Sequence, residues 1–213
     1  MMFCCSQMIC DGCDYANFLR ERELGPERKC PFCRSPKEET PEQELKYRLK
    51  RIEANCPAAI RYEALVRSDD GKYDEAFDYF TKAAELGDTE AHYHLAMLYD
   101  KGKGVEKDEE KSLKHAETAA IGGNPGARML LFNLEMKNGR KDRAVKHLDI
   151  AANQGSKHAI ELLKMMYKNG DGAISKDVLA GALRGYQAAL DTMKSPQRDA
   201  AEAEAIRLGF DGY

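Results

Sequence analysis

Four alanines frame this 213-residue chain. Ala59, Ala91, Ala127 and Ala159 recur at intervals of 32, 36 and 32 residues inside segments that resemble one another. FTKAAELGDTEAHYHLAMLY, HAETAAIGGNPGARMLLFNLE and LDIAANQGSKHAIELLKMMY share one order of events. An alanine pair (Ala83–Ala84, Ala119–Ala120, Ala151–Ala152) ends a helix and lets backbones approach closely. A glycine follows (Gly87, Gly123, Gly155), suited to a left-handed C-terminal cap. A helix-starting residue comes next (Asp88, Asn124, Ser156), and Pro125 stands where a proline at the first helical position belongs. A period in the thirties with two helices per unit predicts an all-α chain built as a stacked α-solenoid.

The segment TEAHYHLAMLYDKGKGVEKDEEKSLKHAETAAIGG resembles a Sel-one-like repeat, a relative of the tetratricopeptide repeat. Gly102, Gly104, Val105 and Asp108 match that family's turn, while Ala96 stands where a glycine is usual. The first and third units, with SDDGKYDEA and KNGRKDRA, carry a shorter turn. The fourth has KNGDGAISKD and lacks the Ala-Ala-Gly ending. The resemblance implies a right-handed α-solenoid of TPR-like helix-turn-helix repeats, four units over 57–194, with a protein partner on the concave surface. It is specific for fold and weak for function, because such scaffolds serve many partners.

Flanking segments complete this plan. TPEQELKYRLKRIEANCP opens on a capping box with Thr40 as N-cap, Pro41 at the first helical position and Gln43 reaching back. Leu45, Leu49 and Ile52 mark one face of this connecting helix, 40–56. Ser175 is expected to cap a helix through ALRGYQAALDTM, and Ser195-Pro196 to start a final one over 195–213 that caps the stack. His92, His94, His115, His147 and His158 are read as surface or packing histidines. Positions 92 and 94 do not face one another on a helix. Met129, Met136, Met165 and Met166 are expected to fill the core. Gly102–Gly104 lacks the Gly-Lys-Ser/Thr ending and the preceding strand of a phosphate loop, so it is a structural turn. No catalytic constellation is found in the repeats.

Residues 1–36 read differently. Six of the seven cysteines lie in the first 33 residues, and Cys56 stands apart. Cys10–Cys13 and Cys30–Cys33 are two Cys-x-x-Cys pairs, a spacing within the range of a structural zinc site. CCSQMICDGC followed by CPFCR resembles the later half of a RING finger. The resemblance makes Cys5, or the adjacent Cys4, a third ligand, followed by Cys10, Cys13, Cys30 and Cys33 as the last four. Gln7 stands where a histidine ligand is usual. The first ligand pair has no counterpart, so the segment is expected to be a partial RING-type finger from an incomplete or shortened chain. Two zinc arrangements stay open: Cys10, Cys13, Cys30 and Cys33 together, or Cys4 or Cys5 with Cys30 and Cys33. By the same resemblance Pro31 and Arg34 would dock a ubiquitin-conjugating enzyme.

Charge and hydropathy narrow the partners. A net charge of −3 provides no field for nucleic acid, and no apolar run reaches the length of a membrane span. MMFCCSQMIC lacks the basic lead and long apolar stretch of a signal peptide, so a reducing cytoplasmic or nuclear setting is expected. Two functions follow as expectations. One is an interaction scaffold whose RING-type module is a ubiquitin ligase or its inactive remnant. The other is a pure adaptor whose cysteine segment caps the solenoid.

Overall fold

The computed structural model describes residues 40–170 and 172–196, together with 199, 200, 203 and 207. Among them the chain forms nine helices and no strand: α1 (Pro41–Glu53), α2 (Pro57–Asp69), α3 (Tyr73–Glu85), α4 (Thr89–Lys101), α5 (Glu109–Ile121), α6 (Pro125–Lys137), α7 (Lys141–Asn153), α8 (Lys157–Lys168) and α9 (Lys176–Met193). The described residues fall into two compact units, 60–192 and, separately, 40–59 with those from 193 onward.

Each junction between repeats is a six-residue machine built on the alanine pair. The N–H of Asp88 donates to Ala83 O and that of Gly87 to Ala84 O, at 3.0 and 2.9 Å. The same two bonds recur at Asn124 and Gly123, and at Ser156 and Gly155. This pattern needs one left-handed residue, and the glycines take it with φ of 88°, 89° and 85°. The residue after each glycine then starts the next helix. Asp88, Asn124 and Ser156 accept from the N–H groups of Ala91, Ala127 and Ala159. A fourth junction has the same form without a glycine. Asn55 holds φ 52°, Cys56 N–H donates to Arg51 O, and Pro57 opens α2. Asparagine reaches the left-handed region at a lower cost than most residues.

The register fixes the core. Ala59, Ala91, Ala127 and Ala159 are all buried, and one turn later Leu95, Leu131 and Leu163 are buried too. In α2 that leucine position holds Glu63, which is 5% exposed and pairs with Arg67 at 2.9 Å. On the second helices the buried rows are Ala76, Ser112, Ala144, then Phe80, Ala116, Leu148, then Ala83, Ala119, Ala151. Ser112 donates to the carbonyl of Ala96 at 2.8 Å, so its buried hydroxyl is satisfied. Glu135 is fully buried at the α6–α7 turn and pairs with Arg140 and with Arg143 at 3.2 Å. Such a carboxylate is tolerable in the interior only with its cations in place.

Several expectations meet corrections. Thr40 caps α1, accepting from Gln43 N–H at 3.3 Å, but Leu45 and Leu49 are exposed rather than packed. Glu44, Arg48 and Arg51 occupy the places of Ala76, Phe80 and Ala83, each 32 residues on, and Glu44 and Arg48 pair at 3.9 Å. Met129 and Met166 pack against the core, whereas Met136 and Met165 are exposed, Met165 to 51%. A flexible thioether is tolerated both in a core and at a surface, so methionine by itself does not mark a core face. Ser175 does cap α9, accepting from Val178 N–H at 3.2 Å.

The long turn between α4 and α5 is anchored by contact rather than by length. Gly102 ends α4 at φ 64°, and Gly104 holds φ 66°. A Cβ on Gly104 would run into the backbone of Tyr73 and Asp74 at the start of α3. Gly139 has a similar φ of 71° but open space around it. Both alanine substitutions carry the left-handed penalty of roughly 1–2 kcal/mol. Gly104→Ala adds a clash with backbone, so urea denaturation should show it losing at least about 1 kcal/mol more than Gly139→Ala. Equal losses would show that the turn does not bear on α3.

Candidate functional site

That anchored turn closes one side of a pocket of about 300 Å³. Ser68 and Asp69 come from the end of α2, Tyr73 and Phe80 from α3, and His94, Met97, Leu98 and Lys101 from α4. Lys103 comes from the turn, donates to the Tyr73 hydroxyl at 3.1 Å, and lies 4.5 Å from the centre of that ring. The floor is apolar: Phe80 and Leu98 are buried, and the His94 ring stacks on Phe80 with centroids 4.7 Å apart. Burial, then the nearby Arg61 cation, lowers the His94 pKa to about 4 against the opposing pull of Asp88. His94 is therefore neutral at pH 7 and behaves as part of the apolar floor. Arg61 is held in turn by Asp88, its Nε 3.0 Å from both carboxylate oxygens.

A second histidine arrangement lies on the same pair of helices. His92 of α4 and His115 of α5 bring their Nδ1 atoms to 2.9 Å, so one ring donates and the other accepts. Tyr99 stacks against His115 at 5.7 Å. Burial lowers both pKa values, opposed at His92 by Asp88 and reinforced at His115 by His92 and Lys114. The pairing holds only while a neutral nitrogen is available to accept. His147 is also lowered, by burial first and then by Arg128, and His158 is exposed.

All five histidines are legible in the sequence, but the contact between residues 92 and 115 is not. Nor does the sequence set apart the lining residues Asp69, Tyr73, Lys101 and Lys103. The one available signal was the extended turn Gly102–Asp108, which aims Lys103 back over Tyr73. Cys4, Cys5, Cys10, Cys13, Cys30, Cys33, Pro31 and Arg34 lie outside the described residues. Among the described residues no group of three or more His, Cys, Asp or Glu is placed to hold a metal ion. Cys56 accepts a hydrogen bond from Arg51 at 3.1 Å. No described helix is long and apolar enough to cross a membrane.

Comparison with known proteins agrees with the repeat geometry. The model of the Sel1 repeat matches residues 66–88, 89–124, 137–156 and 158–183. Chitin synthase regulatory factor 4 of Schizosaccharomyces pombe is 35% identical over 112 residues, which is 52% of this chain and 16% of that protein. DAP3-binding cell death enhancer 1 of Rattus norvegicus is 38% identical over 64 residues, 29% of this chain and 13% of that protein. The chain thus spans only a small part of the length of these relatives. Among solved structures, a Sel1 repeat protein from Oxalobacter formigenes superposes with a TM-score of 0.60 at 21% identity, covering 86% of this chain and 74% of that one. A protective antigen of uropathogenic Escherichia coli displaying an SLR fold gives 0.52 at 20% identity, covering 88% and 42%. Likeness at these identities establishes the fold alone.

The histidines make stability pH-dependent with a definite sign. Each shifted histidine has its folded pKa below the ordinary 6.5, so between that value and the folded pKa the unfolded chain binds more protons. Stability is complete above about pH 6.5 and falls as pH drops toward about 4, on the order of 3 kcal/mol for His94 alone. Urea midpoints at pH 7 and pH 5 should differ, and His94→Gln should shrink that difference. An unchanged difference would remove His94 as a source of it.

Proposed function

The chain belongs to the Sel1 repeat family, and we propose that it works as a protein-interaction scaffold. The observation that carries this reading is the pocket, which consecutive repeats build from an apolar floor and a charged rim on a rigid frame. Concavities that combine apolar side chains with placed polar groups are where ligands and partner segments dock. Two relatives are named as a regulatory factor and as a binding protein, which suits a chain that acts by holding another. A reducing compartment, cytoplasm or nucleus, would keep its thiols free for metal.

Photo-crosslinking in the native host tests the scaffold. A benzoylphenylalanine placed at Met97 in the pocket should trap adducts of discrete mass. The same group at Glu117, on the exposed side of α5, should not. Equal yields at the two positions, or no adduct at Met97, would contradict a docking role for the pocket.

A second reading concerns the amino-terminal segment and rests on the CPFCR motif after Cys10–Cys13. Four thiolates in two Cys-x-x-Cys pairs are a complete donor set for structural zinc. On this reading Cys10, Cys13, Cys30 and Cys33, or Cys4 or Cys5 in place of the first pair, hold zinc. Pro31 and Arg34 would then face a ubiquitin-conjugating enzyme. Native mass spectrometry should find one or two zinc ions per chain and fewer in Cys30→Ser. Zero zinc in the unaltered chain would overturn both the metal and the ligase reading.

A further inference from the structure

We propose that the pocket between α2, α3 and α4 receives an apolar side chain of an extended partner peptide whose following residues are acidic. The proposal rests on the scaffold reading and names the chemistry of its partner. Three observations define the occupant. The first is size: about 300 Å³ lies at the lower edge of the range for small-molecule sites, roughly 300–1,000 Å³, and suits one side chain with its adjoining backbone. The second is the apolar part of the lining, Phe80, Met97 and Leu98 with the neutral His94 ring stacked on Phe80. Met97 adapts its shape to what it meets, as an unbranched thioether does.

The third is the rim, which is charged asymmetrically. Lys101 and Lys103 stand on the α4 side and Asp69 on the α2 side. Among the described residues none of the three forms an ion pair. Elsewhere in the chain basic side chains find carboxylates, as in Lys137–Glu109 and Arg61–Asp88. Lys103 is also pre-positioned by the Tyr73 hydroxyl and ring, so less side-chain freedom is lost when it meets an anion. The polarity sets a direction for the peptide: its carboxylates lie toward Lys101 and Lys103, and a backbone N–H or a cation lies toward Asp69 and Ser68.

The test is a nitrogen-15 NMR titration of the full chain with capped pentapeptides. The probe Ac-Gly-Leu-Asp-Glu-Gly-amide should saturably shift the amides of residues 97–103 and of Tyr73. Replacing its acids by Asn and Gln, or its Leu by Ser, should weaken binding about tenfold or more. The chain carrying Lys101→Glu and Lys103→Glu, checked by circular dichroism to be folded, should lose the shifts. Lys101→Gln with Lys103→Gln, a milder pair, should weaken them. Equal binding of the Asn/Gln peptide, shifts confined to other surfaces, or no shift at about 5 mM peptide would overturn the proposal. A Met97 crosslink that still traps a partner after any of those results would leave the scaffold standing and remove only this occupant. Loss of the crosslink as well would remove both.

Discussion

Every junction between repeats must satisfy two helix ends within three residues, and this constraint shapes the rest of the molecule. The outgoing helix leaves carbonyls without partners, and the incoming one leaves N–H groups without partners. A left-handed residue folds the chain back so that two backbone N–H groups reach the outgoing carbonyls at Ala83 and Ala84. The next side chain then accepts from the incoming helix at Ala91. Because both ends are satisfied locally, helices of 12 or 13 residues can follow one another across turns of a few residues. Alanine is needed at the seam, since a larger side chain at a fully buried Ala83, Ala119 or Ala151 would push the helices apart.

The pocket is a consequence of one departure from that regularity. Where the turns between α2 and α3 and between α6 and α7 are short, residues 102–108 add chain, and Gly104 lets the added chain lie against the start of α3. This places Lys103 beside Tyr73 and roofs the space above the Phe80–His94 stack. The same short segment thus serves the fold and the proposed docking pocket. The turn brings Lys103 into the same lining as Lys101 of α4 and Asp69 of α2.

Local signals were legible in the sequence, and those that depend on distant residues were not. Gly87-Asp88, Gly123-Asn124 and Gly155-Ser156 each announce a stop and a start within two residues, and the structure places all three as expected. Asn55-Cys56 performs the same task without the glycine or the oxygen-bearing side chain, so no local signal marks it. The His92–His115 contact joins residues on different helices, and no periodicity within either helix announces it. Glu63 and Glu135 look like ordinary surface glutamates, yet both are buried against arginines. Lys101 reads as one more basic residue in a last helical turn until Lys103 and Tyr73 are placed beside it.

Hydrogen exchange at the junctions tests the account most directly. The amides of Cys56, Asp88, Asn124 and Ser156 sit in what would otherwise be loop positions, yet each donates to a carbonyl of the preceding helix. They should exchange as slowly as amides within the flanking helices, opening only with their repeat. Exchange at the rate of an unstructured peptide at these four sites, with the helices still protected, would contradict it.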